Sequence, residues 1–152
     1  MCSSDLPNGL AIATVFWPIL SCAVEELGDE IELSDFRPLV ETLTRPFAIR
    51  LSVPRRTMET CIAVIEGQFR LPWIQNRRAR RLGFARGPHY AAIAAMAMIR
   101  IDAHEMDEEE RDLWINFMDE FPPPKLTKAR PRQRRKTGRR GNPRKPRNSR
   151  DN

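Results

Sequence analysis

The densest chemistry in the chain lies in FRLPWIQNRRARR, residues 69 to 81, where Arg70, Arg77, Arg78, Arg80 and Arg81 surround Trp73. Guanidinium groups hold phosphate in a bidentate fork and lie flat on bases, and an indole offers a face on which a base stacks. Arg55 and Arg56 belong to the same basic block, which runs from residue 45 to 86 with ten Arg against Glu59 and Glu66 alone. Like charges crowded this way repel and gain nothing from pairing, so they point to phosphate contact more than to a solvated face. Phe69 and Trp73 carry two readings. Aromatics at helical spacing usually cap a core, whereas among arginines the Trp73 ring can stack on a base.

A second cationic element ends the chain. Residues 122 to 152 hold 13 basic side chains and one acid, Asp151, with Arg130, Arg132, Arg134, Arg135, Lys136, Arg139 and Arg140 in the densest stretch. Interleaved with Pro and Gly, these read as a sequence-independent arm for RNA. Leu126 is the one sizeable apolar side chain there, so burial cannot offset the entropy of ordering, and the tail is expected to be disordered when free. Residues 1 to 121 hold 13 basic and 19 acidic groups. An acidic body joined to a basic tail implies a polyanionic partner.

Other chemistries find little support in the residue types. Cys2, Cys22 and Cys61 are odd in number with no C-x-x-C spacing, which favours free thiols in a reducing cytosol over a disulfide framework or zinc finger. The acidic run from Asp107 lacks calcium-loop spacing and reads as a helix N-terminus. His89 and His104 have no cysteine partner nearby, and no Gly-rich phosphate loop or Ser, His and Asp grouping occurs. The apolar stretch from Leu10 to Leu20 is short for a bilayer span and is interrupted by Pro18, so no membrane is expected.

The elements that must position the arginines read as helices, since apolar residues recur at steps of three and four with no alternating strand pattern. At 152 residues the chain allows one domain and an appendage. The first helix covers about Asn8 to Leu27 and is kinked or broken at Pro18. The second starts at Ser34, places Phe36, Leu39, Val40, Leu43 and Phe47 on one face, and ends at Pro46. The third follows Pro54, buries Met58, Ile62, Ile65 and Phe69, and stops near Pro72. A basic fourth helix spans about Ile74 to Leu82 and ends at Gly83. The fifth carries Tyr90, Ile93, Ala94, Ala97, Met98 and Ile101; the sixth opens at Asp107 and buries Leu113, Trp114, Phe117 and Phe121. The expectation is an all-α fold of about six packed helices. It comprises a helical body segment (1–54), a helical RNA-binding region (55–121) and a disordered Arg/Pro-rich tail (122–152).

Taken in order, these segments resemble the C-terminal part of the bacterial poly(A) polymerases of the nucleotidyltransferase superfamily. NGLAIATVFWPIL is similar to an apolar body helix of that family, and VPRRTMETCIAVIEGQFRLP to the segment where a Pro-Arg-Arg pair opens the RNA-contacting helices. RRARRL, PHYAAIAAMAMIR, the acidic helix ending at Phe121 and the arginine-rich tail follow in family order. GFARGPHYAAIAAM departs from the His-Pro-x-Phe-Arg-Ala run usual there.

The resemblance implies a cytoplasmic protein that holds single-stranded RNA 3′ ends for polyadenylation. It implies ATP and magnesium only for the full-length family enzyme, whose catalytic head is not found in this chain. The chain is thus expected to be a piece or a separately encoded module, inactive alone and without cofactors of its own. An alternative is a helical protein-interaction module that docks an RNA-processing enzyme, an RNA helicase or a degradosome-type protein, with the tail a non-specific nucleic-acid arm.

Overall fold

A computed structural model describes residues 5–27 and 33–125. The fold is all-α: among the described residues six helices run α1 Asp5–Leu27, α2 Leu33–Arg50, α3 Arg55–Ile74, α4 Arg78–Ala85, α5 Tyr90–Asp102 and α6 Glu108–Glu120.

α3 is the centre, and each of the other five helices packs against it. Met58, Ile62 and Ile65 are buried as their spacing predicts, but so are Thr57, Cys61, Val64, Gly67, Gln68, Leu71 and Ile74, which lie around the rest of the helix. Two glycines allow the close crossings. A Cβ on Gly9 of α1 would stand 2.6 Å from the Thr60 side chain, and one on Gly67 would stand 2.7 Å from Ile93 of α5. One core joins Phe16, Trp17 and Leu20 of α1 to Val64 and Ile65 of α3, Met96 of α5 and Trp114 of α6.

Prolines do not end the helices where sequence reading stops them. α2 continues through Pro46 to Arg50 and α3 through Pro72 to Ile74, while α1 crosses Pro18 unbroken to Leu27, the end its sequence reading gives. An interior proline costs about 3 kcal/mol. Burial of Leu71 and Ile74 around Pro72 contributes roughly 3 to 6 kcal/mol, so packing carries α3 past its breaker. α4 likewise begins four residues later than expected and passes Gly83. Phe84 holds it there by inserting its ring beside Tyr90, Trp114 and Phe117 at centroid distances of 6.0, 6.5 and 5.7 Å.

Two side chains expected in the core face outward. Phe47 is exposed although its ring meets Phe16 edge-on at 4.9 Å, and Met98 is exposed on α5. The Asp107 cap forms as predicted: its carboxylate accepts from the Glu110 N–H at 2.7 Å. By length and composition α1 is long and apolar enough to cross a membrane, over Pro7–Glu26 and beyond the Leu10 to Leu20 stretch; in the fold its Ala13, Phe16, Trp17 and Leu20 face the core.

α2 and α5 both end in the Schellman arrangement with a non-glycine residue in the left-handed region. After α2, Val53 donates to the Ala48 carbonyl and Ser52, at φ 50°, to that of Ile49. After α5, Glu105 donates to Arg100 and His104, at φ 57°, to Ile101.

Candidate nucleic-acid interface

The C-terminal end of α3 and the short α4 present the arginine cluster. Arg70, Arg77, Arg78 and Arg80 are exposed, and Trp73 is 53% exposed between them. Its neighbour in the double reading, Phe69, is half-buried and stacked between Trp17 at 5.0 Å and Phe36 at 4.7 Å. The two aromatics therefore divide: Phe69 packs at the core and Trp73 stands free.

Ion pairing separates the arginines further. Among the described residues, Arg45, Arg50, Arg56, Arg70, Arg77, Arg78, Arg80 and Arg86 make no ion pair or side-chain hydrogen bond. All eight belong to the basic block. Arg55 pairs with Glu59 at 3.0 Å, one turn along α3, but stays exposed to solvent. Arg81 is turned inward. It pairs with Glu120 of α6, and its guanidinium lies 5.4 Å from the Phe117 ring and 5.8 Å from that of Phe121. Arg81 is thus a structural clamp between α4 and α6, although its sequence neighbours are free.

The fold does not gather the candidate arginines at one point. Arg55 and Arg56 open α3 and Arg70 lies near its end, so Arg55 and Arg70 are about 22 Å apart along the axis at 1.5 Å per residue. Two grooves occupy the interval. One, of about 1050 Å³, is lined by Arg37, Arg45 and Arg55 with Glu41 and Glu59. The other, of about 800 Å³, is lined by Arg37, Arg70 and Arg80 with Glu66 and His89. Arg37 lines both, held 3.0 Å from Glu41 and 3.7 Å from Glu66. Sequence reading missed Arg37 because it is the lone Arg of an acidic segment; its position one turn before Glu41 marks only an ordinary helix pair. The tail residues Arg130, Arg132, Arg134, Arg135, Lys136, Arg139 and Arg140 lie outside the described residues.

Beneath the surface cluster, Arg100 organises a polar knot. Its two terminal nitrogens donate to the Glu110 carboxylate at 2.9 and 3.1 Å, and one also donates to Gln68 Oε1 at 3.3 Å. Gln68 in turn donates to the Ile93 carbonyl at 2.9 Å. In the lining of the second groove, burial lowers the His89 pKa, with Glu59 opposing that shift, and its Nδ1 is buried without a partner among the described residues. Burial also pushes the Cys61 thiol and the Tyr90 hydroxyl up, each to about 12. Among the described residues, no three His, Cys, Asp or Glu side chains converge as a metal site would need.

No protein family, no curated protein and no solved structure matches this chain.

Proposed function

We propose that this chain is an RNA-holding module, in which the helical body offers fixed arginines and the tail adds sequence-independent attraction. The observation that carries this reading is the segment in which the unpaired Arg70, Arg77, Arg78 and Arg80 accompany the exposed Trp73. A salt-bridged solvated surface pairs its cations, and among the described residues these four make no ion pair. Unpaired guanidinium groups gain most from phosphates, and an exposed indole stacks on any base.

On the resemblance to the bacterial poly(A) polymerases, the strand is a 3′ end presented for adenylation. The chemistry of AMP transfer, with its ATP and magnesium, would belong to the nucleotidyltransferase head, and this chain alone is expected to incorporate no AMP. Binding of single-stranded RNA over a salt series tests the reading. With roughly six phosphates engaged, log K should fall with log salt at a slope of about −4. Binding that ignores salt would overturn it.

A second reading rests on a different surface. Val15 and Ile19 of α1, and Ile49 and Leu51 at the end of α2, are exposed apolar side chains suited to a protein partner such as an RNA helicase or a degradosome-type scaffold. It predicts binding to that partner that survives substitution of Arg77, Arg78 and Arg80 by Ala.

A further inference from the structure

The groove at the end of α3 differs from the open arginine surface in setting two unpaired arginines beside an apolar wall. On α3 it takes Glu66, Gly67, Arg70 and Ile74, spaced as one helix face. α4 contributes Arg80, Gly83 and Phe84, and the loop before α5 contributes Gly87 and His89. Glu66 is the one acid of the lining and lies toward Arg37, so Arg70 and Arg80 keep their full charge. Neither makes an ion pair or side-chain hydrogen bond among the described residues. Between them the wall is bare: Gly83 has nothing within 4 Å of where a Cβ would stand. The half-buried Phe84 and the exposed Pro88 give it an apolar wall, while Ile74 and Ile93 of the lining are buried.

A ligand that satisfies both parts carries a phosphate and a flat apolar body, and the groove's volume is within the roughly 300 to 1,000 Å³ of small-molecule sites. A metal cation is repelled by Arg70 and Arg80, and a bare phosphate leaves the wall of Phe84 and Pro88 wet. We infer that this groove is a single-nucleotide site, with the phosphate held by Arg70 and Arg80 and the base against the wall of Phe84 and Pro88. It rests on the RNA reading for its natural ligand, one residue of the held strand.

Calorimetric titration of the full chain with AMP, adenosine and inorganic phosphate tests it, with single-stranded RNA binding measured in parallel. AMP should bind about tenfold or more tightly than either part, since adenosine forgoes the charged hydrogen bonds to Arg70 and Arg80 and inorganic phosphate forgoes the contact of the base. Arg70→Ala with Arg80→Ala should weaken AMP at least about tenfold by the same reckoning, and Arg111→Ala, on α6 outside the groove, should leave it within about twofold. Gly83→Leu starts from a Cβ position with nothing within 4 Å and adds a side chain to the lining of the groove, so it should abolish AMP binding while melting is unchanged or raised.

AMP binding no tighter than that of phosphate, or AMP binding that survives Gly83→Leu, overturns the inference. RNA bound with its salt dependence by a protein that ignores AMP defeats the groove and leaves the RNA reading standing. Groove-dependent AMP binding without RNA binding supports the groove and defeats the RNA reading.

Discussion

The Arg100 guanidinium lies over the Trp17 indole, 4.1 Å from its centroid, so a cation of α5 is seated on a ring of α1. The other neighbours of that indole extend the contact into a column. Phe69 stacks on Trp17 and Phe36 stacks on Phe69, so α2, α3, α1 and α5 are joined through four consecutive flat groups. Such contacts contribute about 0.5 to 2 kcal/mol each beyond the area buried.

The Arg100 side chain is 7% exposed and its bidentate partner Glu110 is 26% exposed. Glu110→Ala strands a buried guanidinium on Gln68 and the indole alone, and should cost about 2 to 4 kcal/mol, somewhat below the range for fully buried pairs because Glu110 reaches water. The double change Arg100→Met with Glu110→Leu should recover most of that loss. Urea unfolding of the three proteins measures both.

Alkali should destabilise the fold. Cys61 and Tyr90 bind their protons more tightly folded, with both pKa values near 12, than unfolded, near 9.0 and 10.0. Stability is therefore full below about pH 9 and declines as pH rises toward 12, by roughly 1 kcal/mol per unit for each group titrating. Cys61→Ala should delay the onset by about one unit, which melting at stepped pH would reveal.

The left-handed helix ends offer stabilising changes. Ser52→Gly and His104→Gly each relieve a conformation that side chains disfavour and should raise stability by about 0.5 to 1 kcal/mol. Ala103→Gly, one position earlier at φ −80°, should lower it. Thermal melting distinguishes the three.

Arg81 and Trp73 should behave oppositely although both lie in the basic stretch. Arg81→Ala removes the Glu120 pair and the contacts with Phe117 and Phe121, so it lowers the melting temperature and leaves the RNA salt slope nearly unchanged. Trp73→Ala leaves melting nearly unchanged and weakens RNA binding by about 1 to 3 kcal/mol.

The helices and the Asp107 cap were legible in the sequence because they follow from local periodicity and side-chain chemistry. Boundaries at Pro72 and Gly83 were not, since what outweighs the breakers comes from elsewhere in the chain: the core that buries Leu71 and Ile74, and Trp114 and Phe117 for Phe84. Arg100 reads as a cation suited to the last turn of α5. Nothing local shows that Trp17 and Gln68 meet it. Within the candidate interface, residue type identified the basic block, but only packing separates clamped Arg81 from open Arg80, and Phe69 from Trp73.

α3 extends twenty residues, about 30 Å at 1.5 Å per residue, with every other helix resting on it. Its amides should exchange with solvent only when the whole fold opens, among the slowest in the protein. The element between Arg56 and Arg70 then behaves as a ruler of fixed length, about 21 Å along the axis. A polymer that touches both ends must fit its own spacing to that length, because the protein cannot stretch or shorten to meet it.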